Sequence, residues 1–203
     1  AAFAAARQGF LILDEIYQGL NHGPVSYQTG LAVRDDLYIL NSFSKFFGMT
    51  GWRLGWVVVP PEAIEPITKL AQNLFISPST PAQYAALAAF GDEAMTIHGQ
   101  RKKAFVQRAA LLSDGLQRLG FRIPVAPDGA FYLYVDISHT GMNSMDFCWR
   151  LIDEFQVAVT PGADFGEHHA DHYVRFAYTT NLEAIEQGLQ RINAALTAWG
   201  INT

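Results

Sequence analysis

The feature that most limits what this chain can fold into is a change of hydrophobic period at Pro60-Pro61. Before it stand three short apolar runs: Gly9 to Asp14 (GFLILD), Asp36 to Asn41 (DLYILN) and Leu54 to Val59 (LGWVVV). Short apolar runs without polar alternation read as strands buried on both faces, as in a parallel sheet. Their connections are too short for full crossover helices, so some neighbours are expected to run antiparallel or be joined by loops. From Pro61 the apolar residues recur at three and four, which predicts helices over 61–75, 80–90 and 92–119. Pro61 and Pro81 suit first-turn positions, and Gly91 and Gly120 suit stops. Beyond Gly120 the pattern predicts strands over 121–125 and 130–137, a helix over 144–155, strands over 157–160 and 173–178, and a helix over 182–199. That order is α/β: a layered α/β/α part, then a small α+β part. The boundary is placed near residue 100, inside the long third helix, giving parts 1–100 and 101–203.

Composition narrows the function classes. Apolar residues make up 50% of the 203 residues, which excludes a disordered chain. A chain of this length can bury about 70% of its unfolded surface, so a core of its own is possible. Fourteen Lys and Arg against nineteen Asp and Glu leave a net charge of −5. Such a chain lacks the long-range attraction for nucleic acid or anionic membrane that basic proteins use. Charged residues are only 16%, against about 25% in typical usage. The shortage predicts extra buried surface, against more of the same protein or a partner subunit. The single cysteine, Cys148, permits no intrachain disulfide and fits a reducing compartment such as the cytoplasm. No stretch has the roughly 18 to 20 apolar residues of a membrane span. The opening AAFAAARQGFLIL lacks a signal peptide's basic start, and Arg7 interrupts it. With no initiator Met, the chain is expected to be part of something longer.

Two segments carry chemistry. In SFSKFFGMTGWRLG (Ser42 to Gly55), Lys45 follows a buried strand, with Ser44 and Ser42 before it and Arg53 after it. A lysine in an apolar, cation-rich pocket loses its proton more easily and becomes a nucleophilic amine. Two hydroxyls and a forked guanidinium around it suit a phosphate. The competing reading is a turn with a solvated lysine and a structural arginine, and the loop alone does not separate the two. The second segment is Asp14-Glu15-Ile16-Tyr17. An acid at the end of a buried strand points into the crevice where α/β proteins bind ligands, and a pyridinium nitrogen would answer its charge. The alternative is a turn cap by Asp14 with Tyr17 packed nearby.

Taken together, the two segments resemble fold-type I pyridoxal-phosphate enzymes. SFSKFFGMTGWRLG resembles the lysine signature of class I/II aminotransferases, and DEIY resembles that family's acid-x-x-Tyr element. Pro127 to Tyr132 (PDGAFY), Val159 to Gly162 (VTPG) with Phe165-Gly166, and Tyr173 to Ala177 (YVRFA) are similar to its small-domain elements. The resemblance runs over essentially the whole chain. It implies the C-terminal part of the large cofactor-binding domain over 1–100 and the small domain over 101–203. It implies that Lys45 holds pyridoxal 5′-phosphate in a Schiff base and then moves the proton at Cα. It implies that Asp14 pairs with the pyridine nitrogen and Tyr17 donates to the phenolic oxygen. Ser42, Ser44 and Arg53 would hold the phosphate, and Arg175 would clamp the substrate α-carboxylate. For Arg175 the competing reading is an edge-strand arginine on a solvated face.

The reaction so implied is transamination between an L-amino acid and a 2-oxo acid, in a cytoplasmic homodimer. The same scaffold also serves lyases and the effector domains of some transcription regulators. The family builds its site from an N-terminal half as well, and the thirteen residues before Asp14 cannot supply it. The chain is therefore expected to be a C-terminal half, inactive by itself. Glu167, His168, His169 and His172 superficially suggest a metal site, but the resemblance places them in a loop, so no metal is expected. Trp52, Trp56 and Phe46 read as core or pocket walls, Arg101 to Lys103 as a solvated helix face, and Cys148 as a small buried hydrophobe.

Overall fold

The computed structural model describes residues 2–23 and 27–201. The chain divides into two compact units, residues 1–102 and 103–203. In the first, a single helical turn α1 (Ala2–Ala5) precedes a three-stranded sheet of order β1-β2-β3. Strand β1 (Ile12–Asp14) runs parallel to β2 (Tyr38–Ser42), with Asp14 opposite Leu40. Strand β3 (Gly55–Val58) returns antiparallel to β2, with Ser42 opposite Gly55. The twelve residues between β2 and β3 hold only a 3-10 turn at Thr50–Trp52 and no α-helix to carry a crossover, and the chain reverses direction.

The expectation that all three strands are buried on both faces fails. Of the three strands only β2 keeps a buried residue, Ile39 at 2% exposure. Ile12 of β1 and all four residues of β3 are exposed. Successive residues of a strand face opposite ways, so both faces of β3 lie open in this chain. The apolar run records a need for cover that these residues alone do not meet.

Three helices follow. Helix α2 (Pro61–Leu74) starts on its proline, α3 (Thr80–Ala89) has proline in its first turn, and α4 (Asp92–Arg118) is 27 residues long. Missing N–H groups cost nothing in a first turn, which is why the prolines mark starts. The end of α4 is a Schellman motif. Gly120, at φ +83°, donates its N–H to Gln117 O at 3.0 Å, and Phe121 donates to Leu116 O at 3.1 Å. Leu116 and Phe121 are both buried, the apolar contact that accompanies this cap. Helix α4 passes through the division at residue 102.

The second unit holds an antiparallel sheet of order β4-β6-β5, formed by β4 (Tyr132–Asp136), β5 (Thr160–Pro161) and β6 (Tyr173–Ala177). Helices α5 (Ser144–Phe155) and α6 (Leu182–Ala198) accompany it. Each helix begins on an asparagine: Asn143 Oδ1 accepts from Asp146 N and Asn181 Oδ1 from Ala184 N, both at 2.9 Å. Leu116, Leu133, Val135, Phe147, Leu151 and Val174 form the core. Each such side chain contributes about 1.5–3 kcal/mol on burial. The strand expected over 121–125 is only a single bridge, Arg122 to Asp136. Pro124 has no N–H to continue a ladder. The strand expected over 157–160 forms only at Thr160–Pro161.

Candidate active site

The first unit gathers its candidate residues at one edge of its sheet. Strand β1 ends on Asp14, its parallel neighbour β2 ends on Ser42, and antiparallel β3 begins just after Arg53. All three chain ends therefore open on the carboxyl side of the parallel pair, where α/β sheets bind ligands. Asp14 Oδ1 accepts from Ile16 N at 3.1 Å, so the carboxylate shapes the turn that follows. Its other oxygen is not committed to that bond, and Asp14 is exposed. The same turn places Tyr17, and Lys45 Nζ lies 5.4 Å from the centroid of the Tyr17 ring. A cation on an aromatic face at that range is attractive. Tyr17 and Lys45, 28 positions apart in sequence, meet here through the β1–β2 pairing.

The hydroxyls form a connected chain. Ser42 Oγ lies 2.9 Å from Ser44 Oγ and accepts from Ser44 N at 3.0 Å. Thr50 Oγ1 donates to Ser44 O at 2.7 Å, and Arg53 Nη1 donates to Thr50 O at 3.0 Å. Arg53 stands at φ +52°, ψ +49°, a left-handed conformation that costs a non-glycine residue energy. That backbone turns its guanidinium back over the loop, and Arg53 is exposed. Ser42, Ser44, Thr50 and Arg53 thus present short donors and one forked cation from a single bend.

Beneath this loop lies an aromatic floor that spacing did not announce. Phe43 packs on Phe47, Trp56 and Phe90 at 4.9, 5.1 and 5.7 Å between ring centroids. Phe46 and Phe47 pack on His98 of α4 at 5.3 and 5.5 Å. His98 is 5% exposed, and its Nε2 lies 3.2 Å from Ala89 O. A carbonyl only accepts, so Nε2 carries the proton, leaving the buried Nδ1 as an acceptor without a partner. Burial holds this imidazole below the ordinary histidine range; the Ala89 bond opposes that and the Arg101 charge adds to it. Phe46 packs on Phe47 and His98, and Trp56 on Phe43, whereas Trp52 at 48% and the outer part of Trp56 at 38% are exposed. The expected solvated face of Arg101, Lys102 and Lys103 holds only for Lys103. Arg101 Nη1 donates to Phe46 O at 3.2 Å, and Lys102 Nζ to Asn21 Oδ1 at 3.4 Å. Long side chains on a helix can reach loops that the linear pattern does not reveal.

Arg175 belongs to the second unit. It lies on β6, opposite Tyr134 on β4 and Thr160 on β5. Strand β6 is central, so the edge-strand reading fails. Val174 and Phe176 point into the core, which leaves Arg175 on the other face. Its Nη2 donates to Thr160 Oγ1 at 3.3 Å, and its guanidinium stacks 4.7 Å from Phe165 and 5.6 Å from Tyr132. Its Nε is buried without a hydrogen-bond partner. A buried guanidinium donor left unpaired costs about 1–3 kcal/mol, and an incoming carboxylate would remove that cost.

Among the described residues, no three His, Cys, Asp or Glu side chains are arranged to hold a metal ion. His169 lies 4.2 Å from His168, edge to face, and 6.2 Å from His172, tilted, as ring centroids. Cys148 is buried, and its thiol is pushed up to about 12, first by burial and then by the Asp164 charge. It is the inert small hydrophobe expected. Among the described residues, no helix is long and apolar enough to cross a membrane.

Comparison with known proteins gives the family and the fold. Residues 1–192 match the family described as Aminotransferase class I and II, and the chain belongs to that family. It is 35% identical over 197 residues to the valine–pyruvate aminotransferase of Mycobacterium tuberculosis, covering 97% of this chain and 51% of that protein. It is 38% identical over 197 residues to the (5-formylfuran-3-yl)methyl phosphate transaminase of Methanocaldococcus jannaschii, covering 96% and 52%. The solved aromatic aminotransferase of Pyrococcus horikoshii superposes with a TM-score of 0.91 at 31% identity, over 99% of this chain and 54% of that one. The fold is thus that of the aminotransferases, and the chain spans about half the length of the relatives it matches.

Proposed function

We propose that this chain carries the lysine-bearing part of a pyridoxal-phosphate-dependent aminotransferase that moves an amino group from an L-amino acid to a 2-oxo acid. The observation that carries the proposal is the convergence of Asp14, Tyr17, Ser42, Ser44, Lys45 and Arg53 on one edge of a sheet, in a chain of this family. The donor set fits a phosphorylated pyridine aldehyde. It offers one amine, one acid, one phenol, paired hydroxyls and a guanidinium. When bound, pyridoxal phosphate supplies a protonated ring that takes up the electron pair left at the substrate Cα.

The chain's own residues do the rest. Lys45 holds the cofactor covalently through its amine and later carries the proton that leaves and returns at Cα. Asp14 keeps the ring nitrogen charged, and its bond to Ile16 N fixes the carboxylate's direction. Tyr17 donates to the ring oxygen. Ser42 and Ser44 donate to phosphate, and Arg53 neutralises its charge. Arg175 takes the substrate α-carboxylate, using the Nε that is otherwise unpaired. Residues 1–100 act as part of the large domain and 101–203 as the small one.

The relatives are named for different amino donors, so the proposal stops at the class of amino acid and 2-oxo acid. It includes a homodimeric cytoplasmic protein. Exposed Leu74, Phe75, Ile76 and Leu87, and the open faces of β3, support further covering surface. The unpaired, buried Cys148 agrees with a reducing compartment. The test is borohydride reduction of the intact protein with pyridoxal phosphate, followed by peptide mapping. The adduct is expected on Lys45 and absent in Lys45→Ala. A reduced adduct on Lys69, Lys102 or Lys103 in the unaltered protein refutes the assignment.

A further inference from the structure

Helix α4 touches both segments that make the site. Arg101 Nη1 donates to the carbonyl of Phe46, the residue next to Lys45, across 55 positions of sequence. Gly48, at φ +68°, leaves room for that guanidinium: a Cβ there would lie 2.2 Å from Arg101 Nη1. One turn earlier on α4, His98 packs on the Phe46 ring. One residue later, Lys102 reaches Asn21 in the segment after Tyr17. The Phe46 ring also fills the space beside Gly19, where a Cβ would lie 2.7 Å from Phe46 Cδ2.

The neighbouring carbonyls of Phe43 and Lys45 are held locally. Gly48 N donates to Lys45 O at 3.0 Å, and Met49 N donates to Phe43 O at 2.9 Å. The Phe46 carbonyl turns instead to α4, and Arg101 is its donor. A carbonyl fixed in this way fixes the Phe46–Phe47 peptide plane, and with the Lys45 carbonyl held by Gly48 N it sets the path of the loop from which the lysine side chain leaves.

We propose that Arg101 is a positioning residue for Lys45, acting through the Phe46 carbonyl. This rests on the reading of Lys45 as the cofactor lysine. A nucleophile displaced by about 1 Å can lose on the order of a hundredfold in rate. Loss of this bond frees the loop without touching cofactor, so covalent capture slows while non-covalent affinity does not change.

The test uses the intact protein freed of cofactor and mixed with pyridoxal 5′-phosphate over a range of concentrations. The borohydride-reducible linkage is followed in time. The concentration dependence separates a dissociation constant from a limiting rate of linkage. Arg101→Met should lower the limiting rate at least tenfold, with the dissociation constant within about twofold of wild type. Arg101→Lys, which keeps one donor, should fall between the two. Lys103→Met, an exposed cation on the same helix, should match wild type. Should Arg101→Met not fold, Arg101→Lys decides: a limiting rate reduced about threefold or more at unchanged affinity supports the role. An unchanged limiting rate in the folded variants, or rate and affinity falling together, overturns it. A wild-type adduct on another lysine overturns the Lys45 reading itself, and that is seen before any variant is compared.

Discussion

Replacing Arg175 with methionine separates a binding role from a structural one. The methionine keeps much of the stem and removes the guanidinium. Three local terms change in the folded protein. The bond to Thr160, at 3.3 Å, is long and worth about 0.5–1 kcal/mol. The stacking on Phe165 and Tyr132 adds about 0.5–1 kcal/mol. Against these, removal of the buried unpaired Nε relieves about 1–3 kcal/mol. The terms nearly cancel, so stability should change by no more than about 1 kcal/mol, or a few degrees in Tm. Catalysis should not escape so lightly. A fork matched to a carboxylate is worth about 2–5 kcal/mol when one partner is removed. At 1.36 kcal/mol per decade, kcat/KM for amino acids falls roughly thirty- to several-thousand-fold. The assay pairs steady-state kinetics of the intact protein with thermal unfolding. Amines without a carboxylate should react as in wild type. A variant that loses several kcal/mol of stability, or that slows carboxylated and uncarboxylated amines alike, refutes the role.

Other outcomes follow from the same geometry. Asp14→Asn keeps an oxygen for the Ile16 N–H but loses the charge. Turnover should drop by about a hundredfold or more, near 3 kcal/mol, with the fold intact; near wild-type turnover would leave Asp14 as a turn cap. Phe147, fully buried and packed edge-on against Phe121 and Trp199, should cost about 3–5 kcal/mol as Phe147→Ala. Denaturant midpoints at unchanged slope check this. His98 and His139 are both held below the ordinary histidine range by burial, opposed at His139 by the Asp136 charge. The unfolded chain therefore takes up protons first as pH falls below about 6.5, so Tm should decline from about pH 7 to pH 5. His98→Phe should flatten part of that decline, and an unaltered slope would count against the burial argument.

The sequence alone determined the parts whose signals are local. The helix over 144–155 lies as its period and its Asn143 cap dictate, and α4 stops where Gly120 can turn left-handed. SFSKFFGMTGWRLG and DEIY were legible because a family resemblance needs only residue types at fixed spacing. Short strands were less legible: 121–125 and 157–160 looked apolar, yet Pro124 and the neighbouring chain decide where a ladder forms. Tertiary structure alone decided what met across long separations. It set Lys45 against Tyr17 through the parallel register of β1 and β2, and put Arg175 on a central strand with its Nε unpaired. It also drew Arg101 out of an apparently solvated helix face onto the Phe46 carbonyl. Charge and period describe a side chain's own element, whereas its hydrogen-bond partner lies on another, and only packing brings the two within 3 Å or so.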